Sequence, residues 1–376
     1  MFLSTFLIVD LYSVTSVGDF ALFSSIISIC VIFSSFRLEQ AVSKSNSGSK
    51  VNVVTNIITF ISLVYSVIFI TLISVLYIFG HDYLLYITLI FLGSLALLLV
   101  NYVTSLSTYE QNFLVLSVSK VIKSIAFIVL ICIFSGFSNG LLYSYLISSL
   151  ILCVYAISNL STRIKIDKFT ISKSLNNRFE YRYIYKYSTL NALLNSTSHQ
   201  IPILMSSLLF PIEIVGLIFI YEKIVKTPST VIMQSIRPIV IRYYSTKSNL
   251  NFFVYFRHCL YLATLGLLYI SFMYLLVSFS LSFDFTIKWQ DGFVFLVPLL
   301  IITFCQIVNT VTSPYLLVKR KTKNLFNIEI INLILKIVIS LYCYLNNHEP
   351  ITFFILLSIS SLVLLLINIA NVKLSS

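Results

Sequence analysis

Few charged side chains lie within the long apolar stretches of this chain: Asp10, Glu222, Lys223, Lys226 and Lys336. A charge placed in hydrocarbon costs on the order of a few kcal/mol or more, so such residues face partners or water-filled space. On a helix, Lys223 and Lys226 are three apart and share a face, while Glu222 and Lys226, at i and i+4, can pair. One reading is a self-neutralised ion pair inside a bundle, which leaves Lys223 without an intrahelical partner on that face. The other is a cationic wall that holds an anion. Lysine offers a phosphate a point charge, and arginine can engage it in two places. Pro228 then removes a helix hydrogen bond and permits a kink at this level. Just upstream, Asn191, Asn195, Ser196, His199 and Gln200 form a polar stripe. Hydrogen bonding between helices is one explanation of that stripe. A single histidine such as His199 can carry a proton.

The elements that must position these residues are membrane helices. The 376 residues are 58% hydrophobic and 10% charged, more apolar surface than a soluble domain can hide. Apolar runs of the length needed to cross a ~30 Å hydrocarbon core recur along the chain. Strands of a membrane barrel would alternate polar and apolar, and these runs do not. Six cysteines lie singly inside apolar segments, without disulfide or zinc spacing. No P-loop, Ser/His/Asp set or paired catalytic carboxylates appears, so neither ATP nor any other cofactor is expected.

Twelve spans follow from the apolar runs: Phe2–Ser16, Phe20–Phe36, Val51–Phe79, Tyr83–Thr108, Leu114–Phe134, Leu141–Leu160, Ser188–Phe210, Val215–Ile236, Phe252–Leu281, Phe293–Val318, Leu325–Leu345 and Ile351–Val372. The first is shorter than the about 20 residues a span needs, and reads as lacking the front half of its helix. Charge tests the map. Of the 25 basic residues, 21 fall in or beside the even-to-odd loops and the C-terminal tail. The opposite side holds Lys288 beside Asp19, Asp82, Glu213, Asp284, Asp291 and Glu349. The positive-inside rule then places both termini in the cytoplasm. The net charge of +12 is therefore a topology signal, and no nucleic-acid partner is expected. The basic segment 161–186 reads as a cytoplasmic linker near anionic lipid headgroups, between a lobe at 1–160 and a lobe at 187–376.

The halves also share a hexapeptide. Val100–Ser105 reads VNYVTS and Val308–Ser313 reads VNTVTS, 208 residues apart. Each closes the fourth span of its half, before a turn and a basic fifth span. Phe20-Ala-Leu22 and Val215-Gly-Leu217 likewise follow acidic outer turns. With six spans each, both halves insert in the same orientation, as parallel repeats about a central cavity. The expected fold is an all-α polytopic membrane protein of about twelve helices.

Several segments resemble one family. Thr15–Glu39 looks like its second helix, with Gly18-Asp-Phe-Ala-Leu-Phe23 as the entry turn and Arg37-Leu-Glu39 as the exit. Ile201–Arg242 is similar to its seventh and eighth helices, and Ser313-Pro-Tyr315 with the following basic turn to the end of its tenth. The family is the Wzx-type lipid-linked O-antigen/polysaccharide flippases of the multidrug/oligosaccharidyl-lipid/polysaccharide exporter superfamily. The resemblance runs from about Leu3 to Val372, and departs from the family at Ala21, where glycine is usual. It implies movement of a polyprenyl-diphosphate-linked oligosaccharide across a bacterial inner membrane, without catalysis. Polysaccharide polymerase and chain-length regulator proteins are the implied protein partners, besides membrane lipids. Helices 1, 2, 7 and 8 line the lumen in the family, which points to Arg37, Lys223, Lys226 and Arg237 as phosphate-binding cations. Arg37 could instead snorkel to the interface, and Lys336 in span 11 stands apart from these helices. The polar residues Asn191, Asn195, His199 and Gln200 would meet sugar.

Two other functions compete. An O-antigen polymerase or ligase would resemble chains with a long external loop of basic residues, whereas these external loops are short. A cation-coupled multidrug exporter of the same superfamily would want intramembrane carboxylates, and Asp10 is one. A major-facilitator transporter would carry a G-x-x-x-D-R-x-G-R-like turn where this chain reads RLEQAVSKSNSGSK.

Overall fold

The computed structural model describes residues 2–36, 38–39, 42, 48–78, 84–160, 189–246, 251–280, 284–319 and 322–375. In chain order the α-helices are α1 (Phe2–Leu11), α2 (Val14–Ser35), α3 (Gly48–Ile78), α4 (Leu84–Tyr109), α5 (Phe113–Ile133), α6 (Gly140–Asn159), α7 (Thr189–Leu209) and α8 (Ile212–Thr246). They continue as α9 (Phe252–Ser280), a 3-10 segment (Asp284–Phe295), α10 (Leu296–Asn309), α11 (Thr312–Val318), α12 (Thr322–Leu345) and α13 (Pro350–Ser375). With α10 and α11 taken as one interrupted span, these are the twelve expected spans. The protein is an all-α, multi-pass membrane protein; among the described residues, nine helices are long and apolar enough to cross a bilayer.

Several boundaries differ from the sequence expectation. The Thr15–Asp19 stretch is not a turn, because α2 begins at Val14. Ser13 caps it, its Oγ accepting the Ser16 backbone N–H at 3.2 Å, the N3 position that a serine N-cap satisfies. The break between the first two helices falls at Tyr12–Ser13 instead. α8 runs 35 residues, straight through Pro228, and takes in Arg237 and Arg242, where the charge pattern suggests a loop. At about 1.5 Å per residue it is far longer than the bilayer core. The two copies of the hexapeptide also differ. VNYVTS lies inside continuous α4, whereas VNTVTS straddles the Thr310–Val311 break between α10 and α11.

Contacts group the chain into two compact units, Met1–Ala21 with Ile201–Ser376, and Leu22–Gln200. This division differs from the 1–160 and 187–376 halves, and the linker 161–186 lies outside the described residues. In the unit Leu22–Gln200 the core joins Val31 and Ile32 of α2, Val54 and Ile58 of α3, and Leu98 and Leu106 of α4. Hydroxyl pairs tie α3 to α4, Thr55 to Tyr102 and Tyr65 to Ser94, both at 2.8 Å. Such pairs satisfy polar groups that lipid cannot. The Phe23 ring meets Tyr86 and Tyr145 edge-on, which joins α2 to α4 and α6.

In the other unit, α10 packs on α9 and α13, and α1 packs on α8 and the 3-10 segment. Buried Trp289 is the fastener there: its indole Nε1–H donates to the Val9 carbonyl at 2.9 Å. The Trp289 carbonyl in turn accepts from the Tyr221 hydroxyl of α8 at 3.1 Å. At the other end of α8, Tyr244, Tyr255 and Tyr315 are fully buried, and Tyr315 packs its ring against both others. Asn368 of α13 donates to Asn309 of α10 at 2.9 Å.

Candidate functional site

α7 and α8 exceed 18 residues, yet neither is among the nine strongly apolar helices. What lowers their apolarity is the polar stripe of α7 and the Glu222, Lys223 and Lys226 group of α8. Their composition is that of helices shielded from lipid on at least one face.

On α8 the Lys226 ammonium and the Glu222 carboxylate form an ion pair one turn apart. Lys223 is exposed, and its ammonium lies 4.9 Å from the centroid of the Phe219 ring below it, a cation–π contact. Glu222 and Lys226 are both within electrostatic range of Lys223. The carbonyls around Pro228 are partly covered from the side. Tyr269 of α9 donates its hydroxyl to the Val225 carbonyl, and Ser229 Oγ donates to the Lys226 carbonyl at 2.9 Å. These bonds hold the backbone that carries the lysines where the proline ring has removed a donor.

Arg237 is an exposed residue three turns further along α8. Its Nη2 reaches the Ser313 hydroxyl of α11 at 3.4 Å, inside the VNTVTS copy. Arg37 lies outside the described residues. Asn191, Asn195, His199 and Gln200 belong to the unit Leu22–Gln200, whereas Lys223, Lys226 and Arg237 belong to the other. Within the unit Leu22–Gln200, hydroxyls of α7 itself tie it to neighbouring carbonyls: Thr189 Oγ1 donates to the Phe36 carbonyl at 2.5 Å and Ser196 Oγ to the Ser28 carbonyl at 3.1 Å. Asn195 and His199 are exposed, Asn191 and Gln200 half-buried, and the Asn191 Oδ1 is buried without a hydrogen-bond partner.

Glu329 and Lys123 also lie within spans, and the apolar-run map does not single them out. Glu329 sits on α12 seven residues before Lys336, two turns along the same face, and is in electrostatic range of it. That spacing is readable from sequence. Lys123, which the map groups with the cytoplasmic end of span 5, lies midway along α5 with its ammonium 4.9 Å from the centroid of the Tyr145 ring. Counting residues from the helix start places it at membrane depth.

Neither a family model nor a curated protein matches the sequence. Among solved structures, the chain is similar to an inward-facing multidrug resistance MATE family transporter of the MOP superfamily, with a TM-score of 0.74 at 15% identity. The likeness covers 98% of this chain and 92% of that one. The protein therefore has the fold of that transporter, over nearly its whole length.

Proposed function

We propose that the protein moves a lipid-linked, phosphate-bearing oligosaccharide across the bacterial inner membrane, with both termini in the cytoplasm. The observation that carries this is the pair Lys223 and Lys226 on one face of α8, in a helix too polar to face lipid all round. A polyprenyl-diphosphate sugar has an anionic link between a greasy tail and a polar head. The tail stays in lipid, while the lysines hold the link. Polymerase and chain-length regulator proteins are its natural neighbours in such a pathway. The test is complementation of a flippase-deleted strain, scored by the lipopolysaccharide ladder. A strain that expresses the protein in its membrane and makes no ladder argues against this cargo.

A second reading is a cation-coupled multidrug exporter. The fold shared with a multidrug resistance transporter and the carboxylates Asp10, Glu222 and Glu329 favour it. It predicts ethidium efflux that collapses with the ion gradient and with Asp10→Asn. The flippase reading predicts no such efflux.

A further inference from the structure

Along α5 an i, i+4 row faces inward: Ser119, Phe127 and Ile131 are buried, and Lys123 stands in the same row. The opposite side of the helix carries Val121, Ile125 and Val129, at 57%, 58% and 50% exposure, and is the lipid side. Lys123 is half-buried rather than sealed, so its accessible part opens away from lipid. It lies about 15 Å along the axis from Phe113, halfway across a ~30 Å hydrocarbon core. One turn nearer the helix start, Lys120 is exposed on the same side. The Lys123 ammonium is 4.9 Å from the centroid of the Tyr145 ring of α6 and has no carboxylate partner among the described residues. The described acids of the unit Leu22–Gln200, Glu39 and Glu110, lie past the ends of α2 and α4. A ring face stabilises an ammonium by less than a charge at this depth costs, so the ring alone does not account for a lysine here. The ring does hold its place: fully buried Phe23 of α2 meets it edge-on, with centroids 6.4 Å apart.

We propose that Lys123 binds the phosphate of the cargo, as a contact made by a different unit from the α8 lysines. This rests on the reading of a phosphate-bearing cargo and extends it to a helix which that reading does not use. The chemistry is that of an ammonium covered on one side by a ring. A π face satisfies charge but accepts no strong hydrogen bond, so the N–H donors of Lys123 are left for oxygen acceptors. Phosphate oxygens supply both the charge and the acceptors. A carboxylate in the same row would occupy the lysine permanently. With none there among the described residues, the site can load and unload. Lys120, exposed one turn away, adds positive potential that draws an anion toward it.

The test uses the full chain purified in detergent at low salt, with inorganic pyrophosphate as the probe. Calorimetry should show binding by the wild type and a loss of about tenfold in Lys123→Met, the size of one charge-assisted contact. Lys123→Arg should stay within a few-fold of wild type. Reductive methylation read by mass spectrometry follows the same lysine in the unaltered chain: Lys123 should be methylated without pyrophosphate and protected with it. If Lys223→Ala weakens binding while Lys123→Met binds like wild type, the role of Lys123 is overturned and the α8 site stands. If the wild type does not bind pyrophosphate, the phosphate reading falls and this inference with it. Protection of Lys123 by dihexanoyl phosphatidylglycerol but not by pyrophosphate also overturns it, in favour of a lipid headgroup. Should Lys123→Met aggregate, methylation of the wild type decides: protection supports the inference, and equal labelling with and without pyrophosphate overturns it.

Discussion

Gly216 near the start of α8 and Val14 at the start of α2 touch backbone to backbone: a Cβ on Gly216 would come within 2.1 Å of the Val14 carbonyl oxygen. The contact is reciprocal, since a Cβ on Gly18 would come within 2.2 Å of the Ile212 carbonyl oxygen. Small residues let membrane helices approach this closely. Gly216→Ala should destabilise the protein by about 1–3 kcal/mol, the range for overpacking a tight contact. Gly136, with nothing near its missing Cβ, is the control, and its alanine variant should melt like wild type. Thermal melting in detergent measures both, and equal melting of the two variants would contradict the close contact.

Trp289 is the chain's one tryptophan, so its fluorescence reports a single site. Buried indole should emit blue-shifted, and loosening α1 should move the emission to the red. Trp289→Phe removes the donor to Val9 and leaves that carbonyl unpaired, at a cost of about 1–3 kcal/mol. An emission maximum typical of a water-exposed indole in the native protein would refute the packing described for α1.

Much of the helix plan is readable from sequence, and the misses share a cause. Span ends at α6, α7, α9 and α12 fall within three residues of expectation, because apolar runs there stop at polar or glycine clusters. The start of α2 looks like a turn because Thr15, Ser16, Gly18 and Asp19 are weak helix formers. The Ser13 cap and the contact with α8 outweigh that weakness, and only the second is invisible in local sequence. Of the site, the Glu222–Lys226 pairing is legible from i, i+4 spacing. The contact of Arg237 with Ser313 is not, because α8 and α11 are far apart in the chain and no periodicity records their meeting.

Lys223→Ala and Lys226→Ala should each abolish the ladder in the complementation strain without lowering the amount of protein in the membrane. If Lys226 only neutralises Glu222, the double variant Glu222→Ala with Lys226→Ala regains function. If the pair meets phosphate, the double variant stays inactive. Lys223→Arg should keep activity where charge alone matters, less whatever the guanidinium shape costs. Normal ladders from both alanine variants would remove these lysines from the site.

Reporter fusions test the orientation. Fusions after Lys173 and Lys323 should read cytoplasmic, and those at Asp82 and Glu349 external, because 21 of 25 basic residues lie on one side of the span map. An external signal at Lys173 would break the parallel-repeat arrangement.

The grouping of Met1–Ala21 with Ile201–Ser376 has a consequence for biosynthesis. The ribosome makes α1 before α2, yet the helix that α1 packs against, α8, emerges only after all of Leu22–Gln200 has been made and inserted. Through that interval the Val9 carbonyl has no indole to receive, and α1 has neither α8 nor the 3-10 segment to lean on. A helix made before α2 is thus among the last to find its place. A nascent chain arrested before α8 should expose α1 to protease or to a membrane chaperone, and one arrested beyond Trp289 should not.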